Sequence, residues 1–350
     1  KNNESMNSMD RVNTAMNFQE PDRLPISFGL ELQAAKEMDV SLNLFFEDPD
    51  RVAKGQLLML EKYGFDSVTS FYYTGLEIEA WGGSVQFFED GPPTVNRLII
   101  ESLEEISEIE PPNIQEDENI QKVLRTTKLL KDKLGDDVPI MGGVTSPFSL
   151  PIAQMGFPKF FDLIYERPKL FDQLMKKNMK FCIDYANAQF QAGATAIGYA
   201  DPMSSPKMIP HNLFLKKSFK VMQNTLEQIK GDVVLNFASA RCLELLKDLM
   251  KTKAVGIVPS VKEDLSKIKE KCYKNLVVIG NLNAIDMCNW TGKEVDVIIK
   301  DTIKRAAKGG GFILSDNHGE IPFQVPESVL LQIKKAVQKY GTYPIQDLRF

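Results

Sequence analysis

Residues 193–202 read Gly-Ala-Thr-Ala-Ile-Gly-Tyr-Ala-Asp-Pro. A run without a charge lies between a glycine and an Asp-Pro turn, as in a strand buried on both faces. Immediately upstream, 169–192 carries Leu170, Phe171, Leu174, Met175, Met179, Phe181, Cys182 and Tyr185 at helical intervals. A long amphipathic helix feeding a short, fully apolar strand is the repeating unit of a parallel α/β sheet. Seven more runs of this kind occupy 24–28, 67–71, 139–144, 233–237, 254–258, 276–280 and 312–315. Helical sequence follows or separates most of them, at 49–63, 212–229, 242–250, 262–272, 292–308 and 326–340. Asp48 before Pro49 suits a helix start, as do Gly292 before a charged first turn and Pro326.

Eight strands alternating with helices predict an α/β fold of the (β/α)8 TIM barrel type, in one domain over 1–350 with residues 1–20 as an N-terminal extension. The surplus length falls between strands two and three. There 81–93 (WGGSVQFFEDGPP) reads as a β-excursion and 102–112 as an acidic surface loop leading to a helix. No GxGxxG follows the first strand, which argues against a doubly wound dinucleotide fold.

Composition narrows the function. The 350 residues carry 42 Lys and Arg against 47 Asp and Glu, a net charge of −5, so nothing favours nucleic acid as a partner. No apolar run is long enough for a membrane span, and the polar first ten residues lack the apolar core of a secretory signal; the expectation is a cytoplasmic enzyme. The four cysteines, at 182, 242, 272 and 288, show no CxxC spacing, and two histidines cannot build a three-histidine metal site.

A barrel places its active site at the strand C-termini. Those positions hold Gly29, Glu31 and Gln33; Tyr72 and Tyr73; Thr145 and Ser146; Tyr199, Asp201 and Ser204; Ala238, Ser239 and Arg241; Asn281 and Asn283; and Asp316, His318 and Glu320. The densest cluster is Asp316-Asn-His-Gly-Glu320, where a histidine flanked by carboxylates suits proton transfer or metal ligation. His318, Asp201 and Glu320 are the expected catalytic residues. Tyr72, Tyr73, Tyr199, Asn236, Asn281 and Asp316 are the expected substrate contacts. His211 reads as a solvent-exposed helix entry, and the cysteines as small buried hydrophobes.

Several stretches resemble the uroporphyrinogen decarboxylase superfamily, in particular its cobalamin-dependent methyltransferase branch, which includes the methylcobalamin:coenzyme M methyltransferases. They are 20–25 (EPDRLP), 66 through Gly82-Gly83, 142–150 (GGVTSPFSL), 193–202, 279–282 (IGNL), 309–314 (GGGFIL) and 317–322 (NHGEIP). The resemblance implies the same barrel. The decarboxylases hold propionates on an arginine-rich segment after strand one, but here 29–36 has no arginine. Their aspartate after strand two falls near Tyr72 or Tyr73, their tyrosine after strand three becomes Ala153, and only His318 is retained. The branch's zinc motif, His-x-Cys after strand five and a last Cys after strand eight, is replaced by Asn236, Ala238 and His318.

The resemblance therefore implies a methyltransferase moving a methyl group between a small-molecule donor or acceptor and a corrinoid (cobalamin) on a partner protein, without thiolate zinc. Any metal would fall to Asp201, His318 and Glu320. A cofactor-free decarboxylase or lyase of a small or aromatic carboxylate is the first alternative, and a non-catalytic barrel binding a corrinoid or small ligand the second. A homodimer is the default assembly.

Overall fold

In the computed structural model, which describes residues 5–346, seven parallel strands form one curved sheet. In chain order they are β1 (Val68–Thr69), β4 (Ile140–Thr145), β5 (Ala196–Ala200), β6 (Asp232–Asn236), β7 (Gly256–Val258), β8 (Val277–Leu282) and β9 (Phe312–Asp316). Two further strands, β2 (Ser84–Gln86) and β3 (Thr94–Arg97), form an antiparallel hairpin outside the barrel; the expected β-excursion at 81–93 supplies the first of them and the turn, and the second lies just beyond it.

The segment 24–28 closes the circle with fewer hydrogen bonds than a full strand. The Leu314 N–H donates to the Pro25 carbonyl (2.9 Å), the Ser27 N–H to the Leu314 carbonyl (2.9 Å), and the Asp66 N–H to the Ile26 carbonyl (2.7 Å). Pro25 has no N–H to give, so the ladder stays partial and only an isolated bridge, Ile26 to Leu314, joins it to β9. The fold is the TIM barrel the sequence predicts.

The helix Pro49–Tyr63 starts as expected: the Asp48 carboxylate accepts from the Asp50 N–H at 3.0 Å, a cap typically worth ~1 kcal/mol. The expected helix at 212–229 is broken by a π turn at Phe214–Ser218. That wider turn carries the Ser218 hydroxyl against Ser204, beside the buried Asp201. Helices Glu118–Leu134, Leu150–Met155 and Phe157–Glu166 lie in stretches the periodicity left unassigned.

The two ends of the barrel differ. Helix Ser8–Met16 packs Val12, Ala15 and Met16 against Val277, Ile279 and Ile313 and closes the end where strands begin. Part of the expected N-terminal extension is thus a plug; its first four residues lie outside the described residues. At the other end the lumen stays open. Gly142 faces outward, where a side-chain carbon would strike Gln189 and Ile197, so Gly143 faces the lumen. There an added carbon would meet nothing closer than 3.9 Å. Ala196, Gly198 and Ala200 likewise alternate with the buried Ile197 and Tyr199 and remain partly exposed. Small residues at inward positions leave room where bulkier side chains usually fill a barrel.

Candidate functional site at the strand C-termini

The loop after β9 sets the site. Asp316 is fully buried, and one carboxylate oxygen accepts the backbone N–H groups of His318 (2.8 Å) and Gly319 (2.7 Å). This Asx-type turn lifts His318 to an exposed position on the rim. Asn236 holds the turn from across the mouth: its amide donates to the His318 carbonyl at 3.1 Å, and its side-chain oxygen accepts from the Ala238 N–H at 2.8 Å. Ala238 and Ser239 take positive φ angles, 48° and 67°, a strained path for residues with a Cβ. That path puts the Ser239 hydroxyl 3.2 Å from His318 Nδ1. The same hydroxyl donates to the Ala238 carbonyl at 2.6 Å. Its oxygen is then left to accept, so Nδ1 carries the imidazole proton and Nε2 is the basic nitrogen.

Beneath this turn lie carboxylates. A side-chain carbon at Gly29 would stand 2.5 Å from the Gly319 carbonyl, 3.0 Å from the Glu31 carboxylate and 3.5 Å from the Glu320 Cα. Only glycine permits that approach, and Gly29 thereby brings the Glu31 carboxylate and the Gly319–Glu320 turn to the same place. Glu31 and Glu77 are buried, at 1% and 7% exposure, and each has one carboxylate oxygen without a partner; so does Glu320. Burial, then the charges of Glu320 and Asp316, push the Glu31 carboxyl well above the usual range. Burial and Asp316 raise Glu320 to about 7. Burial raises Glu77 to about 7, although the Thr145 N–H donates to it at 2.9 Å. Burial, then Glu320 and Glu77, drive the Tyr72 phenol upward. None of these carboxylates has an ion-pair partner among the described residues.

The structure thus gathers His318, Glu320, Asp316, Asn236 and Tyr72. Asn281, in β8, donates to the Ser260 carbonyl at 3.2 Å. Three expected residues are placed otherwise. Asp201 is buried and accepts three hydroxyls, from Ser146 (2.7 Å), Ser149 (2.7 Å) and Ser204 (2.6 Å). Burial still raises its carboxyl against those three bonds, but its hydrogen-bonding capacity is spent on tying the β4 and β5 loops together. Tyr199 points outward, because strand alternation gives the lumen to Gly198 and Ala200. Its ring is fully buried, and Cys182 of helix Pro168–Ala192 is close enough to raise its phenol, after burial and Asp201. Tyr73 turns into an aromatic cluster with Phe46, Phe71 and Phe87 and donates its hydroxyl to Glu79. His211 stands outside the mouth, 2.9 Å from Asp248.

Sequence reasoning placed Glu31 after strand one and missed Glu77. Both sit between apolar neighbours that are themselves core, Leu30 and Leu32, and Leu76 and Ile78. A carboxylate bracketed in this way just past a strand is the signal that finds them.

A model of the family described as Uroporphyrinogen decarboxylase (URO-D) matches residues 7–340. The chain belongs to that family. Methylcobamide:CoM methyltransferase MtaA of Methanosarcina barkeri is 26% identical over 222 residues, 63% of this chain and 64% of that enzyme. Methylcobamide:CoM methyltransferase MtbA of Methanosarcina acetivorans is 22% identical over 339 residues, 95% of this chain and 97% of that enzyme. Enzymes named uroporphyrinogen decarboxylase are matched as well. A solved methyltransferase from Methanosarcina mazei superimposes with a TM-score of 0.85 at 20% identity, over 96% of this chain and 99% of that one, and so shares the barrel.

A thiolate-zinc centre does not fit these residues. Cys182, Cys242 and Cys272 are buried, and burial holds each thiol above its ordinary range. Among the described residues no three His, Cys, Asp or Glu side chains are grouped to hold a metal ion, so Asp201, His318 and Glu320 do not form a ligand set. Among the described residues no helix is long and apolar enough to cross a membrane.

Proposed function

We propose that this chain is a corrinoid-dependent methyltransferase that moves a methyl group between a small molecule in the barrel mouth and a corrinoid carried by a partner protein. The observation that carries the reading is the mouth itself: the exposed His318 imidazole on the rim, its Nδ1 3.2 Å from the Ser239 hydroxyl, beside the Glu320 carboxyl with one oxygen unpartnered. Alignment along nearly the whole length of a methylcobamide:CoM methyltransferase supports it. A carboxylate substrate, as a decarboxylase needs, would meet the buried Glu31 and Glu77 and the half-buried Glu320, none of which has an arginine partner among the described residues.

The partner's corrinoid supplies a cobalt centre that accepts or gives up the methyl group. The residues of this chain bind, orient and manage protons. Asn236 and Asp316 fix the loop that presents His318. His318 takes up and returns a proton at Nε2 while Ser239 holds Nδ1. Glu320 holds a proton for a leaving group. Tyr72 and Asn281 border the substrate, and Asp201 acts as a positioning residue through its serines. Exposed Phe88 (43%) and Ile285 (72%), on loops at this end, offer the partner an apolar rim.

The test supplies reduced cobalamin and a panel of methyl ethers and methylated amines, and follows the cobalamin spectrum. Methylation of cobalamin by one donor is expected, and His318→Ala should slow it ~100-fold without unfolding the protein. Absence of transfer across the panel, with carbon dioxide released from a carboxylate, would replace this reading with the lyase.

A further inference from the structure

The loop that carries His318 and Glu320 is held on both sides. Upstream, Asp316 accepts the His318 and Gly319 N–H groups. Downstream, the backbone leaves the mouth through Ile321-Pro322-Phe323, outside any helix or strand. Pro322 has no N–H, so this stretch cannot extend a ladder with a neighbouring strand, and its carbonyls need donors from elsewhere. The donors come from one short helix, Glu31–Glu37. Gln33 Nε2 donates to the Pro322 carbonyl at 2.7 Å and to the Ile321 carbonyl at 3.3 Å. Lys36 Nζ donates to the Phe323 carbonyl at 2.9 Å. Gln33 and Lys36 stand three residues apart on the helix, hence on one face of it, and so meet three consecutive carbonyls. The Ile321 N–H completes the attachment by donating to the Gly29 carbonyl at 3.0 Å, just ahead of that helix.

Gln33 is the buried member of the pair, at 6% exposure, whereas Lys36 is exposed. Two carbonyl oxygens can be answered only by the amide nitrogen, which fixes the orientation of the side chain and uses both of its protons. Its Oε1 is left buried and without a partner. An apolar residue would fill this space without stranding a polar atom, so packing alone does not account for a glutamine here. What the amide achieves is the placing of Ile321 and Pro322, one and two residues beyond Glu320.

We propose that Gln33 is a positioning residue: it clamps the Ile321 and Pro322 carbonyls and thereby sets where His318 and Glu320 stand over the mouth. That this placing serves methyl transfer rests on the function proposed above; the clamp itself does not.

Gln33→Met keeps the bulk and removes both donors, and Gln33→Glu keeps the shape but turns a carboxyl toward the two carbonyls. Amide hydrogen exchange of the intact protein, read by mass spectrometry, tests the clamp without any substrate. Exchange in 317–324 should rise ~10-fold in each folded variant, while 146–155, another loop of the same mouth, exchanges as in the parent. With a donor that methylates cobalamin in the parent, kcat should fall ~10-fold and KM stay within ~2-fold, because a misplaced His318 or Glu320 slows turnover without weakening binding. Parent-like exchange in 317–324, or parent-like turnover in a folded variant, would overturn the proposal. So would a raised KM with kcat intact, which marks a substrate contact. Failure of both variants to fold would also overturn it, since Gln33 would then support the barrel and not the loop. The two claims fail separately. No methylation by the parent, with 317–324 loosened in the variants, removes methyl transfer and keeps the clamp. Equal methylation by the parent and both folded variants removes the clamp and keeps methyl transfer.

Discussion

The barrel buries carboxylates at both ends and treats them in opposite ways. Where strands begin, Asp66 is fully buried and completely served: it accepts Arg11 (2.7 Å), Arg23 (2.7 and 3.1 Å), the Ile26 N–H (2.9 Å) and the Ser8 hydroxyl (3.0 Å). Arg11 also grips Asp22 through two bonds of 2.6 Å. Where strands end, Glu31, Glu77 and Glu320 each keep a bare oxygen. Charge at the first pole fastens helix Ser8–Met16 and the closing segment to the sheet. At the second, burial raises the carboxyls toward their protonated form and no cation answers them among the described residues. On the proposed reading, the difference separates groups kept for the fold from groups kept for chemistry, although all are acidic side chains near strand ends.

The largest expected effect lies at the paired pole. Asp66→Ala leaves two guanidinium groups and a backbone N–H without their acceptor, so urea denaturation should show a loss of ~3–5 kcal/mol, in keeping with breaking a buried ion pair. A loss under ~1 kcal/mol would mean that the two poles are not energetically distinct.

A smaller effect, of opposite pH sign, belongs to the open pole. Burial raises Glu77 to about 7 in the folded chain, so the native state binds this proton more tightly than the unfolded one. Its contribution to stability is then full below the unfolded pKa and is lost as pH rises through about 7. The loss is on the order of 3 kcal/mol between pH 4.5 and 7. Glu77→Gln should flatten that part of the stability–pH curve, and an unchanged slope would count against the assignment. Asp22 runs the other way: burial pushes it up, but Arg11 overrides this and holds it below the usual range, so its stabilisation disappears only in acid.

The two poles also differ in how readily the sequence reveals them. The barrel was legible because buried parallel strands such as 194–199 and 312–315 are uninterrupted apolar runs, and loops at their ends must carry the chemistry. His318, Asp316, Glu320 and Tyr72 were selected by that rule, and Asn236 by the family resemblance. The rule says which residues follow a strand, not which way they face. Tyr199 misled because alternation along a strand turns on one residue, and the glycines that fix the inward register are visible only in three dimensions. Asp201 misled because its partners, Ser146 and Ser149, come from another loop. The Arg11–Asp22–Asp66–Arg23 network joins residues up to 55 positions apart, and no local pattern announces it.

Glu320→Gln is the most direct test of whether the open pole serves chemistry and not the fold. The substitution preserves shape and removes one bare carboxylate from a crowded acidic site. Thermal unfolding at pH 8 and cobalamin methylation should be measured on the same preparation. The account predicts a melting temperature equal to or above that of the parent, with transfer reduced ~100-fold. A melting temperature several degrees lower, with transfer intact, would make Glu320 a structural group and contradict it.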